Sequence, residues 1–219
     1  MLPALARNAI NTYTDPGDLV VDSNCGTGNA LVEAVRLDRD AIGVERNPRR
    51  SAIAAARLTA ARSDGAPGRF RVLDGDGRDL LRILTRKDAR SLRESVGQVA
   101  RLPHASADLV LTTLPTGGRS GLEPHVAAAA AAVQPGRFVV LVIDARRAGT
   151  ALVGEVVELC QGVGLLYWQH VIALIAEIRG DRLSMRCSLR AHSGGSRSHM
   201  TCHEDVLVFR RPANKEVTV

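Results

Sequence analysis

Aromatic residues are scarce in this 219-residue chain: one Trp, two Tyr and three Phe, 3% in all. Its core must therefore be built from Val, Leu, Ile and Ala. Cysteine is also sparse. Cys25, Cys160, Cys187 and Cys202 are widely scattered, which argues against a disulfide scaffold and suits a reducing compartment. Long hydrophobic runs are missing. Val126 to Val133 is mostly Ala and short, and Leu165 to Ile178 is interrupted by Gln169, His170 and Glu177. Met1 to Asn8 lacks the basic start and apolar stretch of a signal peptide. These absences lead us to expect a cytoplasmic protein. Cys187, His199, Cys202 and His203 lack the paired Cys-x-x-Cys spacing of a zinc knuckle, so no metal site is expected.

The composition is otherwise that of a globular protein. Apolar residues make up 45%, and the length allows one domain, residues 1–219, with small insertions. Lys and Arg number 29 against 23 Asp and Glu, a net charge of +6. Nearly all the basic residues are Arg, whose planar fork pairs well with phosphate, so a DNA or RNA partner is expected. The basic residues gather near 86–106 and near 179–201. The second stretch holds Arg179, Arg182, Arg186, Arg190 and Arg197 with the single acid Asp181, and is a candidate for gripping phosphates.

Short apolar runs alternate with longer amphipathic ones. Strands are predicted at 19–21, 41–44, 70–73, 108–112, 138–143 and 165–178, the last long or bulged. Helices are predicted at 30–37, at 48–62 with Pro48 in the first turn, at 127–132 stopping before Pro135-Gly136, and at 151–160. A further helix and loop are expected over 86–106. The alternation predicts a mostly parallel sheet with helices on both faces. No helical pattern is evident between the sixth strand and a last one at 206–209, so the last strand is predicted to return antiparallel.

Ligands bind beyond the carboxyl ends of such strands. The turn Asp22-Ser23-Asn24-Cys25-Gly26-Thr27-Gly28 lies there, between the first strand and a helix. Glycines allow close backbone approach, and the helix start offers free N–H groups. Leu31 occupies the position where a dinucleotide fingerprint has its third small residue, so that fingerprint is incomplete. Glu45 ends the second strand, where a carboxylate can accept hydrogen bonds from ribose hydroxyls. Asp76 follows the third strand and can accept from an adenine amine. A glycine turn with an acid after each of the next two strands points to a nucleoside-type cofactor.

These segments resemble the S-adenosylmethionine-dependent amino-methyltransferases of nucleic-acid bases, the N4-cytosine and N6-adenine type. Asp15 to Asp22 with Cys25-Gly26-Thr27-Gly28 is similar to that family's cofactor loop. Gly43-Val44-Glu45-Arg46-Asn47-Pro48 resembles its ribose-binding segment, and Gly75-Asp76-Gly77-Arg78-Asp79 its adenine-binding segment. His203 to Arg210 resembles its terminal strand. The resemblance implies a Rossmann-like α/β methyltransferase domain whose mostly parallel seven-stranded sheet ends in an antiparallel strand. It implies S-adenosylmethionine as cofactor, held by Asp22, Ser23, Asn24, Cys25, Gly26, Gly28, Glu45, Arg46, Asp76 and Gly77. Cys25 becomes a small packing residue, and Leu2 to Ile10 the helix closing over the methionine end.

The target motif departs from the family. There an Asp, Asn or Ser precedes Pro-Pro and an aromatic residue. The first residue and a backbone carbonyl hold the target amine, and the aromatic stacks on a base turned out of its helix. This chain reads Thr113-Leu114-Pro115-Thr116, with Ser23-Asn24 where the family prefers Pro-Phe. Thr113, Leu114 and Pro115 are the candidate acceptor-facing residues. Either Tyr167, Trp168 or a nearby loop supplies the stacking platform, or the acceptor differs. A further alternative is a catalytically impaired homologue that binds cofactor and nucleic acid as a regulatory protein.

Overall fold

The computed structural model describes residues 1–85, 106–115, 118–143, 151–174, 177–179, 182–184 and 203–213. Four strands begin the sheet: β1 (Leu19–Asp22), β2 (Asp40–Glu45), β3 (Phe70–Asp74) and β4 (Ala107–Thr113). Each is rich in β-branched or aliphatic residues, and β1 to β3 each end in a carboxylate. β5 (Val133–Ile143), β6 (Leu166–Leu174) and β9 (His203–Arg210) complete it. A separate two-stranded hairpin joins β7 (Glu177–Arg179) to β8 (Arg182–Ser184).

The seven-stranded sheet has the order β3-β2-β1-β4-β5-β9-β6. All neighbours are parallel except β9, which runs antiparallel to both β5 and β6. The antiparallel return is thus as expected, but β9 inserts between β5 and β6 instead of pairing with β6 alone. The apolar run Val206-Leu207-Val208-Phe209 explains why, since all four side chains are buried. A strand buried on both faces belongs in the sheet interior.

Among the described residues, six helices cover the sheet. α1 (Pro3–Tyr13), α2 (Asn29–Arg36) and α3 (Pro48–Ser63) share one cluster with Val20, Leu109 and Val140. α4 (Gly77–Thr85), α5 (Arg119–Ala132) and α6 (Ala151–Gly162) share the other with Val21, Val110 and Leu141. Alternate residues of each strand thus serve opposite faces.

Several boundaries differ from the sequence reading. α5 starts at Arg119, eight residues before the Ala run, and carries Pro124 inside. β5 starts at Val133 and keeps Pro135-Gly136, with the Gly136 N–H donating to the Arg211 carbonyl. β6 ends at Leu174 and contains the anticipated irregularity, between Tyr167 and Gln169. α4 was not foreseen. The helix and loop expected over 86–106 fall almost wholly outside the described residues. No helix among those residues is long and apolar enough to cross a membrane.

Gly43 shows how tightly the layers meet. A Cβ there would lie 2.3 Å from Leu31 Cδ1 and 2.8 Å from Cys25 Sγ. Room for Leu31, the residue that broke the dinucleotide pattern, therefore comes from a glycine on the strand below. Gly43→Val is expected to cost about 1–3 kcal/mol by overpacking. Thermal unfolding would show it as a drop of roughly 2–4 °C per kcal/mol.

Candidate active site

The order in which parallel strands are added reverses between β1 and β4, which makes the space beyond their carboxyl ends the expected binding crevice. A cavity of 1180 Å³ lies there. Its wall includes Asp22 to Thr27 after β1, Glu45 and Arg46 after β2, Gly75 and Asp76 after β3, and Thr113 to Pro115 after β4. Pockets for single drug-sized ligands run to about 1,000 Å³, so there is room for a cofactor and part of a second molecule.

Asp22 is fully buried at the base of the loop. Its carboxylate accepts from the Asn24 N–H at 3.0 Å and from the Thr112 side chain. Burial pushes its pKa up to about 6, opposed by those hydrogen bonds and raised further by nearby Glu45. Ser23 Oγ lies 3.4 Å from Thr112 Oγ1 and 3.2 Å from His125 Nδ1. An ionised Asp22 only accepts, which sets the direction of the chain: His125 Nδ1–H to Ser23, Ser23 to Thr112, Thr112 to Asp22. That leaves His125 Nε2 as the acceptor. Burial lowers the His125 pKa, with Asp76 opposing and Arg46 and Arg78 reinforcing the effect.

Glu45 is buried at the end of β2. Its Oε1 accepts from the Asn47 N–H at 2.8 Å, which shapes the turn into α3, while Oε2 is buried with no partner. A buried acceptor without a donor is costly unless a ligand supplies one. A ribose hydroxyl is such a donor, so this wall fits a nucleoside. Asp76 lies across the mouth. Its Oδ1 caps α4 by accepting from the Arg78 and Asp79 N–H groups, and Asp79 Oδ2 accepts in return from the Asp76 N–H. Asp76 Oδ2 accepts no hydrogen bond among the described residues and is the oxygen left for an adenine amine.

The remaining expected cofactor residues divide. Ser23, Asn24, Cys25, Gly26 and Arg46 line the cavity. Cys25 packs under the loop, with its N–H on the Val44 carbonyl. Burial, then Asp22 and Glu45, push its thiol far above the ordinary range, so it is packing and not a nucleophile. Gly28 and Gly77 stand behind the wall. Gly28 starts α2 at φ 82°, and a Cβ on it would lie 3.1 Å from Ala54 Cβ. A Cβ on Gly77 would sit 3.0 Å from the His125 backbone, so that glycine lets α4 approach α5. Both are close-packing positions.

Tyr167 and Trp168 do not line the cavity. Tyr167 meets Phe209 edge-on at 5.7 Å, and Trp168 meets Phe138 at 5.8 Å, out on the β6 edge. They are not the stacking platform. Thr116, Asp144 to Arg147, Arg186, Arg190 and Arg197 lie outside the described residues. Arg179 and Arg182 occupy facing positions of the β7–β8 hairpin.

Sequence reasoning missed His125, Met1, Asn29 and Arg57. Arg57 of α3 donates to the Thr27 carbonyl and to Asn29 Oδ1, both at 2.7 Å, and Asn29 donates to the Met1 carbonyl at 3.0 Å. The start of α1 is thereby tied to the cofactor loop, close to where its closing role was expected. Only their spatial convergence identifies these residues, since none forms a local pattern.

A mixed seven-stranded sheet with a loop and two acids at its switch point is the arrangement of S-adenosylmethionine-dependent methyltransferases. Residues 3–56, about a quarter of the chain, match the family model of the N6/N4 DNA methylases, described as DNA methylase. Among solved structures, the chain is similar to a TehB-like S-adenosylmethionine-dependent methyltransferase from Corynebacterium glutamicum, at 16% identity and a TM-score of 0.57 over 96% of this chain and 88% of that one. TrmN from Thermus thermophilus is similar at 18% identity and a TM-score of 0.57, over 95% of this chain and 48% of that one. A precorrin-6y C5,15-methyltransferase from Geobacter metallireducens gives 12% identity and a TM-score of 0.58, over 95% and 87%. No curated protein sequence matches the chain. The chain thus shares its fold with these methyltransferase structures.

Proposed function

We propose that the protein transfers the methyl group of S-adenosylmethionine to an exocyclic amine of a DNA or RNA base. The observation that carries this reading is the unpartnered Glu45 Oε2, buried in the same cavity as the acceptor segment Thr113-Leu114-Pro115. The segment match to DNA methylases and the fold shared with TrmN support the nucleic-acid part. The scattered cysteines favour a cytoplasmic setting.

When bound, the cofactor supplies an electrophilic methyl group on a sulfonium. The chain's own residues do the rest. Glu45 and Asp76 orient the nucleoside end, and Asp22 places negative charge beneath the loop. The β4 end presents hydroxyl and carbonyl acceptors to the incoming amine. The basic set Arg179, Arg182, Arg186, Arg190 and Arg197 would hold phosphates.

Calorimetry with the methyl donor and its demethylated product checks the cofactor half, and failure to bind either at millimolar ligand sinks it. A tritiated-methyl assay on mixed tRNA and denatured DNA checks the transfer half. Salt-sensitive nucleic-acid binding by a cofactor-loaded protein without transfer would instead support the regulatory reading. That alternative draws on one observation: a single proline is all that the acceptor segment retains of the family motif.

A further inference from the structure

We infer that Asn24 supplies a side-chain carbonyl acceptor where the altered β4 segment offers only the Thr113 hydroxyl, and that the substrate group it selects is a primary amine. The inference rests on the proposed methylation and names the group that orients its substrate.

Asn24 takes the place where the family prefers an aromatic residue, and the structure gives that exchange a use. Its Nδ2 donates to the Thr113 carbonyl at 2.8 Å. A carbonyl can only accept, so the amide orientation is fixed by chemistry: Nδ2 faces the segment and Oδ1 is the other end. The Asn24 N–H is itself held by Asp22 Oδ1 at 3.0 Å. The residue is thus anchored through its main chain to the base of the cofactor loop and through its Nδ2 to the acceptor segment. Oδ1 accepts no hydrogen bond among the described residues, and Asn24 lines the cavity.

The second acceptor is the Leu114 carbonyl. The Leu114 side chain is packed in the core and its N–H donates to the Val142 carbonyl at 2.9 Å. Leu114 also lines the cavity, together with its neighbours Thr113 and Pro115. Thr113's carbonyl already accepts from Asn24, which makes the Leu114 carbonyl the next main-chain acceptor along this strand end. Two such acceptors in one cavity match an –NH2 group, each taking one hydrogen. A hydroxyl has one hydrogen to give and leaves one acceptor unpaired; a carbon acceptor leaves both unpaired.

With both hydrogens held, the nitrogen lone pair is directed away from the strand end. It forms the N–CH3 bond as the S–CH3 bond of the donor breaks, and the sulfonium becomes a thioether. The surplus proton on the methylated nitrogen passes to solvent. Asn24 orients the amine and takes no proton.

The test uses the full chain, tritiated methyl donor, and tRNA or denatured DNA as acceptor. Asn24→Ala is expected to lower kcat by about 10²-fold, the scale seen when one preorganised polar contact is removed. Because Asn24 also belongs to the donor loop, donor Kd and Tm are read in parallel: kcat at saturating donor should fall by far more than donor affinity, whereas a merely structural role would move Kd and Tm in step with kcat. Unchanged kcat, or parallel loss of donor binding, overturns the inference. A second arm uses the unaltered protein on strands containing only inosine and uridine, which lack exocyclic amines. No incorporation is expected, and methylation of such strands overturns the inference even if Asn24→Ala proves unstable. Absence of transfer to every acceptor by the unaltered protein overturns both this inference and the proposed activity. Transfer that is indifferent to Asn24 overturns the inference alone.

Discussion

Replacing Glu45 by Gln is expected to weaken binding of the methyl donor by roughly 10²-fold. A hydrogen bond to a charged group contributes about 1.5–3 kcal/mol, a factor of about 10 to 150, and the donor's ribose offers two hydroxyls. Gln keeps an oxygen for the Asn47 N–H, so the turn into α3 survives. What it changes is the buried Oε2, an acceptor that becomes an amide donor. Donor hydroxyls would then face N–H groups. The free protein should respond in the opposite direction. A buried oxygen without a partner burdens the fold, and a neutral amide there lightens that burden. Calorimetry and thermal unfolding of the same variant should therefore show weaker ligand binding with equal or higher Tm. A drop in Tm with unchanged donor affinity would show that Glu45 is structural.

Much of this site was legible in the sequence because its residues follow strand ends. Runs such as Leu19-Val20-Val21 and Ala41-Ile42-Gly43-Val44 are apolar on both faces, and each terminates in a carboxylate that cannot stay in a sheet core. The position of Asp22 and Glu45 at the carboxyl edge of the sheet follows from that, and Asp76 lies two residues past the end of β3. What lay outside reach depends on contacts between distant segments. His125 is a single histidine on a helix whose start is blurred by Gly121 and Pro124, and it enters the site only because α5 packs beside Gly77. α4 went unseen because its residues doubled as a motif: Asp76 and Asp79, three apart, are also a reciprocal helix cap. Insertion of β9 between β5 and β6 is a choice of strand order, which local pattern does not encode. Gly28 and Gly77 were placed on the cofactor because glycine near a ligand loop suggests close approach to the ligand. In both cases the close approach is to a neighbouring helix.

Asp22 and Glu45 together give the free site a particular electrostatic character. Both acids are buried, and Glu45 adds to the cost of ionising Asp22, an effect the N-terminal ammonium opposes. Sulfonium and ammonium groups on the methyl donor are suited to relieve this. The clean test is Asp22→Asn, the second large expected effect. The Asp22 pKa is about 6 in the fold against an ordinary 3.8. Because the folded value is raised, this group favours the folded state fully below pH 3.8. That contribution is lost as pH rises through about 6. About two units correspond to about 3 kcal/mol withheld from the fold at neutral pH. Asn keeps an oxygen for the Asn24 N–H and the Thr112 hydroxyl, and removes the charge. Asp22→Asn should therefore raise Tm at pH 7–8 relative to the unaltered protein and leave little difference near pH 4. Donor affinity should move the other way, falling at least tenfold at pH 8. The demethylated product, which lacks the sulfonium, should be affected less. In the unaltered protein, donor affinity should decline as pH drops below about 6, with proton release on binding in that range. Equal weakening of donor and product, or a Tm difference independent of pH, would mean that Asp22 holds the loop by hydrogen bonding and that its charge is incidental.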